Sequence, residues 1–192
     1  VGQLSFFSAE TDEPSLEDLS GLFAAHGQSS FSPAGSRVSI VVDAQWRADA
    51  LVEDIELCGV RAHPAVSDEG SPMARTETSK SLDALTRSWV KGAVKTMPAD
   101  WVPSPRALRL WAIAAGRREE DRYLLGLDPH APETHSPLAT ALMRAGIAPT
   151  LVGTRGHSPA LRIAGRRRLS RLLENIGAPP GHLDAVGFWP TV

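Results

Sequence analysis

The sequence predicts an α+β protein in which one unit, read as helix, strand or hairpin, helix, hairpin, helix and αββαββα with the hairpin, is used twice, giving a pseudo-two-fold duplicated chain. Three observations carry this. Apolar residues at helical spacing and at strand spacing follow one another in the same order in both halves of the 192 residues. The halves also fall into register at a fixed offset, with Gly59 matching Gly146, Leu82 matching Leu169 and Leu85 matching Leu172. Each copy opens on a related nine-residue helical stretch, LSGLFAAHG at 19–27 and LRLWAIAAG at 108–116. A repeat of roughly 87 residues is too long for a solenoid and suits two halves related by a pseudo-dyad.

The elements of the first copy follow from local chemistry. Residues 1–15 read as a flexible N-terminal peptide with an acidic, turn-rich stretch, Glu10 to Ser15. Ser15 caps a helix whose first turn carries Glu17 and Asp18, as the helix dipole favours, and which ends at Gly27. In 37–43 (RVSIVVD), Val38, Ile40 and Val42 alternate with Arg37, Ser39 and Asp43, the pattern of a half-buried strand. Residues 46–58 have helical spacing, with Trp46, Leu51, Ile55 and Cys58 on one stripe and Gly59 as the stop. Strands at 60–66 and 74–78 bracket a Gly/Ser/Pro turn, and 80–94 is a helix with Leu82, Leu85, Trp89 and Val90 inward. The first repeat spans 16–95, and 96–104, with its prolines, is the linker.

The second repeat, 105–178, repeats the order. A helix runs through 105–117, a strand follows at 122–127, and a proline-rich turn leads to a helix at 136–145 stopped by Gly146. Strands at 150–154 and 160–164 flank the turn Arg155-Gly156-His157-Ser158. The closing helix, 166–176, ends at Gly177, and 179–192 reads as a Pro/Gly-rich tail with Phe188-Trp189 near its end.

Composition narrows the function classes. Hydrophobic content of 42% and charged content of 22% are those of an ordinary globular domain. No run of residues is apolar enough to span a membrane and no signal-peptide pattern opens the chain, so cytoplasmic residence is the default. The lone Cys58 excludes an internal disulfide and a thiolate zinc cluster, and its helical setting reads as a buried, inert thiol. Net charge is −2, yet residues 1–96 sum to −6 and 97–192 to +4, with twelve arginines and no lysine in the second half. A GC-rich genome produces such a bias, and so does a surface that uses the arginine fork on phosphates or guanine edges. His130 and His135 have no third ligand at metal spacing. No glycine-rich phosphate loop or nucleophile elbow is present, and Trp46, Trp89 and Trp111 fall in core positions of helical patterns.

The duplicated order and its opening helices resemble the LAGLIDADG homing-endonuclease superfamily in its single-chain, two-repeat form. LSGLFAAHG keeps Leu19, Gly21, Leu22, Ala25 and Gly27 of the signature, while LRLWAIAAG has Leu110 where that family prefers glycine. Leu161-Arg162-Ile163-Ala164-Gly165 and the helix ending Leu172-Leu173-Glu174-Asn175-Ile176-Gly177 are similar to the segment that closes a family repeat. The resemblance covers 16–178. It implies two antiparallel sheets forming a saddle over duplex DNA, with helices packed on one side. It also implies a pseudo-dyad where the small residues Gly21, Ala24 and Ala25 face Ala112 and Ala115. In the family an acid at the eighth signature position of each copy holds the cleaving metal ions. Here those positions are His26 and Ala115, so the expectation is no metal, no cofactor and no enzymatic activity. Glu119, Glu120 and Asp121 lie a few residues past Gly116 as the nearest acids.

On such a saddle the outward residues are Arg37, Ser39, Arg61, His63 and Arg75 in the first copy. In the second they are Arg122, Thr150, Thr154, Arg155, His157 and Arg162, with Leu124, Leu161 and Ile163 expected in the core. Arg166 and its neighbours Arg167, Arg168 and Arg171 are candidate phosphate contacts at the rim. At the N-terminus Gln3-Leu4-Ser5-Phe6-Phe7 resembles the bacterial sliding-clamp-binding pentapeptide, with Phe6 where leucine is usual. Leucine and an aromatic ring would fill an apolar pocket while the glutamine amide fixes orientation. The leading reading is a monomeric, catalytically inactive duplex-DNA-binding protein of the nucleoid, recruited to replication or repair by the clamp. A protein-interaction module that has lost DNA is the second reading; a nuclease or a transcription regulator is the third, with no helix-turn-helix pattern to support regulation.

Overall fold

The computed structural model describes residues 8–156 and 158–192. The chain enters through a 3-10 turn, Leu16–Leu19, in which Asp18 accepts from the Ser15 N–H (2.7 Å). This turn runs straight into α1 (Ser20–Ala24), which stops three residues short of the expected end at Gly27 because Ala25 leaves helical geometry. A hairpin follows, β1 (Gln28–Ser32) and β2 (Gly35–Val41), then α2 (Gln45–Leu57). The second hairpin, β3 (Ala62–Val66) and β4 (Pro72–Thr76), leads to a short 3-10 turn and α3 (Asp83–Trp89).

The helix expected over 80–94 ends early. Val90 turns to extended backbone, and β5 (Val90–Lys91) and β6 (Val94–Lys95) pair around Gly92, whose φ of 66° supplies the tight turn. Nothing in 90–95 offers the apolar spacing that would hold another helical turn against the core.

The second unit repeats the order: α4 (Pro105–Ala115), β7 (Gly116–Glu119), β8 (Arg122–Gly126), α5 (His135–Arg144), β9 (Thr150–Val152), β10 (Ala160–Ala164) and α6 (Arg166–Ile176). Pro105 at the first helical position and Ser104, whose hydroxyl accepts from the Ala107 N–H, set the start of α4. The two four-stranded sheets have the same antiparallel order, β1-β2-β4-β3 and β7-β8-β10-β9. The duplicated α+β architecture is therefore present strand for strand.

Alternation sends one face of each sheet to the helices. In the first sheet Val38, Ile40 and Ala74 are buried against α2 and α3; in the second Tyr123, Leu125, Leu161 and Ile163 are inward. Leu124, expected in the core, pairs with Arg117 and Arg162 and lies on the opposite face, because residues two apart on a strand share a side with Arg122. One apolar core runs through both units, from Phe23 and Trp89 to Trp111 and Leu172.

Neither end of the described chain is loose. Ala9 donates to the Asn175 carbonyl (2.7 Å), and Glu10 accepts from the Ala178 N–H (2.8 Å), so residues 8–12 dock beside the end of α6. In the C-terminal segment, α7 (Ala185–Phe188) precedes a buried Trp189 whose indole donates to the Gly177 carbonyl (2.9 Å). Among the described residues no helix is long and apolar enough to cross a membrane.

Candidate nucleic-acid interface

The centre of the molecule is the contact between α1 and α4. A Cβ at Gly21 would collide with the backbone carbonyl of Ala107, so the helices touch main chain to main chain there. Ala107 was absent from the residues expected opposite Gly21. Ala24, Ala25 and Ala112 are all buried in the same region, while Ala115 is only half-buried at the end of α4.

Both helices deliver their carboxyl ends to the same place, and each end meets a buried cation. Arg47, from α2, donates through Nη1 to the Ile113 carbonyl (2.6 Å) and through Nη2 to the Gly116 carbonyl (2.7 Å). Its Nε lies 2.7 Å from the Asp43 carboxylate, and its guanidinium carbon lies 4.8 Å from the Trp46 ring centre and 4.9 Å from that of Phe188. Lys95, from β6, donates to the Ala25 carbonyl (3.2 Å) and to Asp128 (2.9 Å). A positive charge on a helix's last carbonyls is the favourable end of the helix dipole.

Asp43 and Asp128 occupy matching places just after the central strands β2 and β8, and each is engaged by one of these cations. Asp128 also accepts from the Gln28 side chain (3.2 Å) and the His130 N–H (2.9 Å). Burial alone would raise its carboxyl; the Lys95 hydrogen bond and charge outweigh that and hold it below the usual value. Burial lowers Lys95. His26 sits between the two acids, its Nε2 on the Val41 carbonyl (2.6 Å), and burial together with the Lys95 charge lowers its pKa. Among the described residues no three histidine, cysteine or carboxylate side chains come together as a metal site. Glu119, Glu120 and Asp121 lie exposed around the β7–β8 turn, away from the helix ends, with Asp121 on Arg122 (3.4 Å).

The outer faces of the sheets flank this centre, and strand register fixes what they carry. In the first sheet Gln28, Ser39, Arg75 and His63 form one row across all four strands, with Ser30 and Arg37 in the next row outward. In the second sheet the corresponding row is Arg117, Leu124, Arg162 and Thr150, with Glu119, Arg122 and Ala164 beyond it. Arg61 lies two residues from His63 and shares its face. Among the described residues Arg37, Arg61, Arg75, Arg117, Arg155 and Arg162 form no ion pair, and Arg37 Nε is buried without an acceptor.

Thus Arg37, Ser39, Arg61, His63 and Arg75 share one face, as do Arg122, Thr150 and Arg162. Thr154 and Arg155 stand apart, on the turn at the end of the sheet nearest the pseudo-dyad. Arg166 begins α6 at the far end and lines a groove of about 1040 Å³ with Arg167, Arg168 and Arg171. His157 and the Gln3 to Phe7 pentapeptide lie outside the described residues. Sequence reasoning missed Gln28 and Arg117, which head the two rows, and the buried Arg47 and Lys95. The first pair follows directly on Gly27 and Gly116, a positional signal that was available; no local pattern marks the second pair.

Two αββαββα units, joined at paired signature helices and presenting two like-ordered sheets, define a LAGLIDADG-type fold. The comparisons with solved structures agree. The homing endonuclease I-WcaI bound to its DNA recognition sequence superposes with a TM-score of 0.62 over 92% of this chain and 89% of its own, at 12% identity. The N-terminal LAGLIDADG domain of DUF199/WhiA gives 0.56 over 85% and 82%, at 16% identity. Full-length DUF199/WhiA from Thermatoga maritima gives 0.60 at 15% identity, with 85% of this chain covering 55% of that one. No family model matches the sequence, and no curated protein does either.

Proposed function

We propose that this protein binds duplex DNA across its two sheets as a monomer and does not cleave it. The observation that carries the reading is the pair of matching outer-face rows, set with arginines that have no acid partner among the described residues. Such side chains suit phosphate contacts and base edges in a groove. I-WcaI, of like fold, is bound to its DNA recognition sequence, which supports the same use of this face. The absence of cleavage is inferred from His26 and Ala115 at the helix ends and from Arg47 and Lys95 on their carbonyls. The two acids beside these helix ends, Asp43 and Asp128, are each already engaged by one of these cations, which competes with their gathering a divalent ion.

Fluorescence anisotropy of a labelled duplex, titrated with salt, tests this. If the six unpaired arginines each neutralise one phosphate, log K against log salt should fall with a slope of about −5. Absence of saturable binding at low salt removes the proposal and favours a protein-interaction module. Incubation with plasmid and magnesium or manganese should leave the DNA uncut. We further propose that Gln3 to Phe7 tethers the protein to the bacterial sliding clamp, which would place it with the nucleoid. Pull-down by the purified clamp should succeed with the full chain and fail once Leu4 and Phe7 are replaced by alanine.

A further inference from the structure

The C-terminal segment holds apolar side chains out in solvent. Leu183 is 97% exposed and Val186, three residues on, is 60% exposed. The turn that carries them is anchored from below. Ala185 and Trp189 are buried, the Ala185 N–H donates to the His182 carbonyl (3.0 Å), and the Trp189 indole donates to the Gly177 carbonyl (2.9 Å). Acids stand around this projection. Asp184 is exposed and has no ion-pair partner among the described residues. His182 lies 3.6 Å from the Glu53 carboxylate of α2, and Glu56, three residues further along that helix, is exposed too. No exposed base offsets them on α2, whose single basic residue is the buried Arg47.

The groove beside α6 has the complementary character. Its volume is about 1040 Å³, and the small residues Gly146, Ala148, Ala164 and Gly165 line it together with Arg167 and Arg171. A Cβ added at Gly165 would meet nothing within 4 Å, and one at Gly146 only the Arg171 Nε at 3.6 Å, so the space beside both glycines is open. Pockets that enclose a whole ligand run to roughly 300–1,000 Å³, so this groove has room for a turn of chain rather than one side chain. Arg167 forms no ion pair among the described residues. Arg171 meets only Glu174, three residues on (3.3 Å), and a pair so exposed holds it weakly.

We propose that the 182–186 turn of one molecule docks in the α6 groove of a second copy of this chain, with Leu183 on the small residues and Asp184 and Glu53 against Arg167 and Arg171. Two observations select this occupant. An apolar projection with an acidic surround meets a small-residue groove with an arginine surround, the arrangement of a desolvated centre inside a polar rim. The chain also carries its charge unevenly, −6 over residues 1–96 and +4 over 97–192, so copies attract when the acidic α2 side of one faces the basic α6 side of the next. The two surfaces differ, so the contact is head-to-tail and not symmetric about a dyad. It goes beyond duplex binding and does not rest on it, since each molecule still presents its two sheets as a single chain.

Sedimentation equilibrium of the full chain at low salt, without DNA, should give a mass that rises with concentration above the 20.5 kDa of one copy, and added salt should reverse the rise. Two double variants test the pairing, Arg167→Glu with Arg171→Glu in the groove and Glu53→Arg with Leu183→Ser on the projection. All four positions are exposed, so melts should be unchanged. Each variant alone should associate about a hundredfold more weakly. Mixing them should restore association and stop it at a one-to-one dimer, because each retains one intact surface. A native chain that keeps the mass of one copy up to near-millimolar concentration overturns the contact, as do variants that associate like the native chain or a folded mixture that stays single. If a double variant melts early, Leu183→Ser alone decides, and undiminished association overturns the contact. A native chain that stays single while the groove variant lowers the salt slope of duplex binding assigns the groove to DNA phosphates instead. Failure to bind duplex, with association and its rescue intact, removes the proposed function and leaves the self-contact standing.

Discussion

Replacing Arg47 with methionine isolates what a buried cation does for the centre of this fold. The side chain is 2% exposed and donates to two carbonyls, those of Ile113 and Gly116, that end α4. Hydrogen bonds from a charged donor are worth roughly 1.5–3 kcal/mol each, and the abandoned carbonyls stay buried. Stacking on Trp46 and Phe188 adds about 1 kcal/mol, part of which the methionine stem keeps. The ion pair with Asp43 counts for little because that carboxylate is 72% exposed. Removing a buried guanidinium also relieves its desolvation cost, which offsets several kcal/mol of the loss. The net expectation is a destabilisation of about 3 kcal/mol, read in urea denaturation as a lower midpoint at unchanged slope. In thermal melts the same loss should lower Tm by about 6–12 °C. Asp43→Asn, which keeps both carbonyl contacts, should cost no more than about 0.5 kcal/mol. A loss below about 1 kcal/mol for Arg47→Met would refute the reasoning, because it would mean that the end of α4 holds without its cap.

Gly21→Ala should destabilise by about 3 kcal/mol in the same assay, since its methyl would meet the Ala107 carbonyl; Gly187→Ala, with open space around it, should be neutral. The Asp128 carboxyl is held below its unfolded value of 3.8, so its contribution is present above that value and is lost as pH falls through the folded one. Melts followed into acid should therefore show a steeper loss for the native chain than for Asp128→Asn, which is destabilised at neutral pH but lacks this step; parallel curves would exclude the Lys95 pair as its source. Burial pushes the Cys58 thiol up to about 12, so iodoacetamide at about pH 8 should modify it only after unfolding. Equal rates in native and denatured protein would show that the thiol is open.

Local sequence patterns were informative wherever burial and stop signals coincided. The closing helix 166–176 was read with its observed limits because Leu169, Leu172 and Ile176 make the stripe and Gly165 and Gly177 bound it. Edge strands behave otherwise. Gln28–Ser32 and Gly116–Glu119 are polar or charged, bury almost nothing, and exist as strands because β2 and β8 offer them a ladder. Residues 80–94 were read as one helix with Leu82, Leu85, Trp89 and Val90 inward, whereas Val90 and Lys91 pair with Lys95 and Val94 in a hairpin. On the face expected to meet DNA, alternation placed Arg37, Ser39 and Arg75 together, yet put Arg122 and Leu124 on opposite sides, which a strand cannot do. The central cations were invisible, since Arg47 sits in a helix of mixed polarity and Lys95 far from its acceptors in sequence.

Both cations come from the first copy. The place in the second copy that answers to Arg47 falls near Thr134 and His135, and neither reaches the end of a signature helix: Thr134 bonds the Ala131 carbonyl and His135 the Asp128 carbonyl. A homodimer of the second copy would therefore bring together two α4 ends with no guanidinium to cap either. The seam is closed from both sides, since Arg109 of the second copy donates in turn to Asp54 of the first (2.8 Å). The duplication is still legible in the topology, but the two copies no longer carry the same side chains at their shared seam.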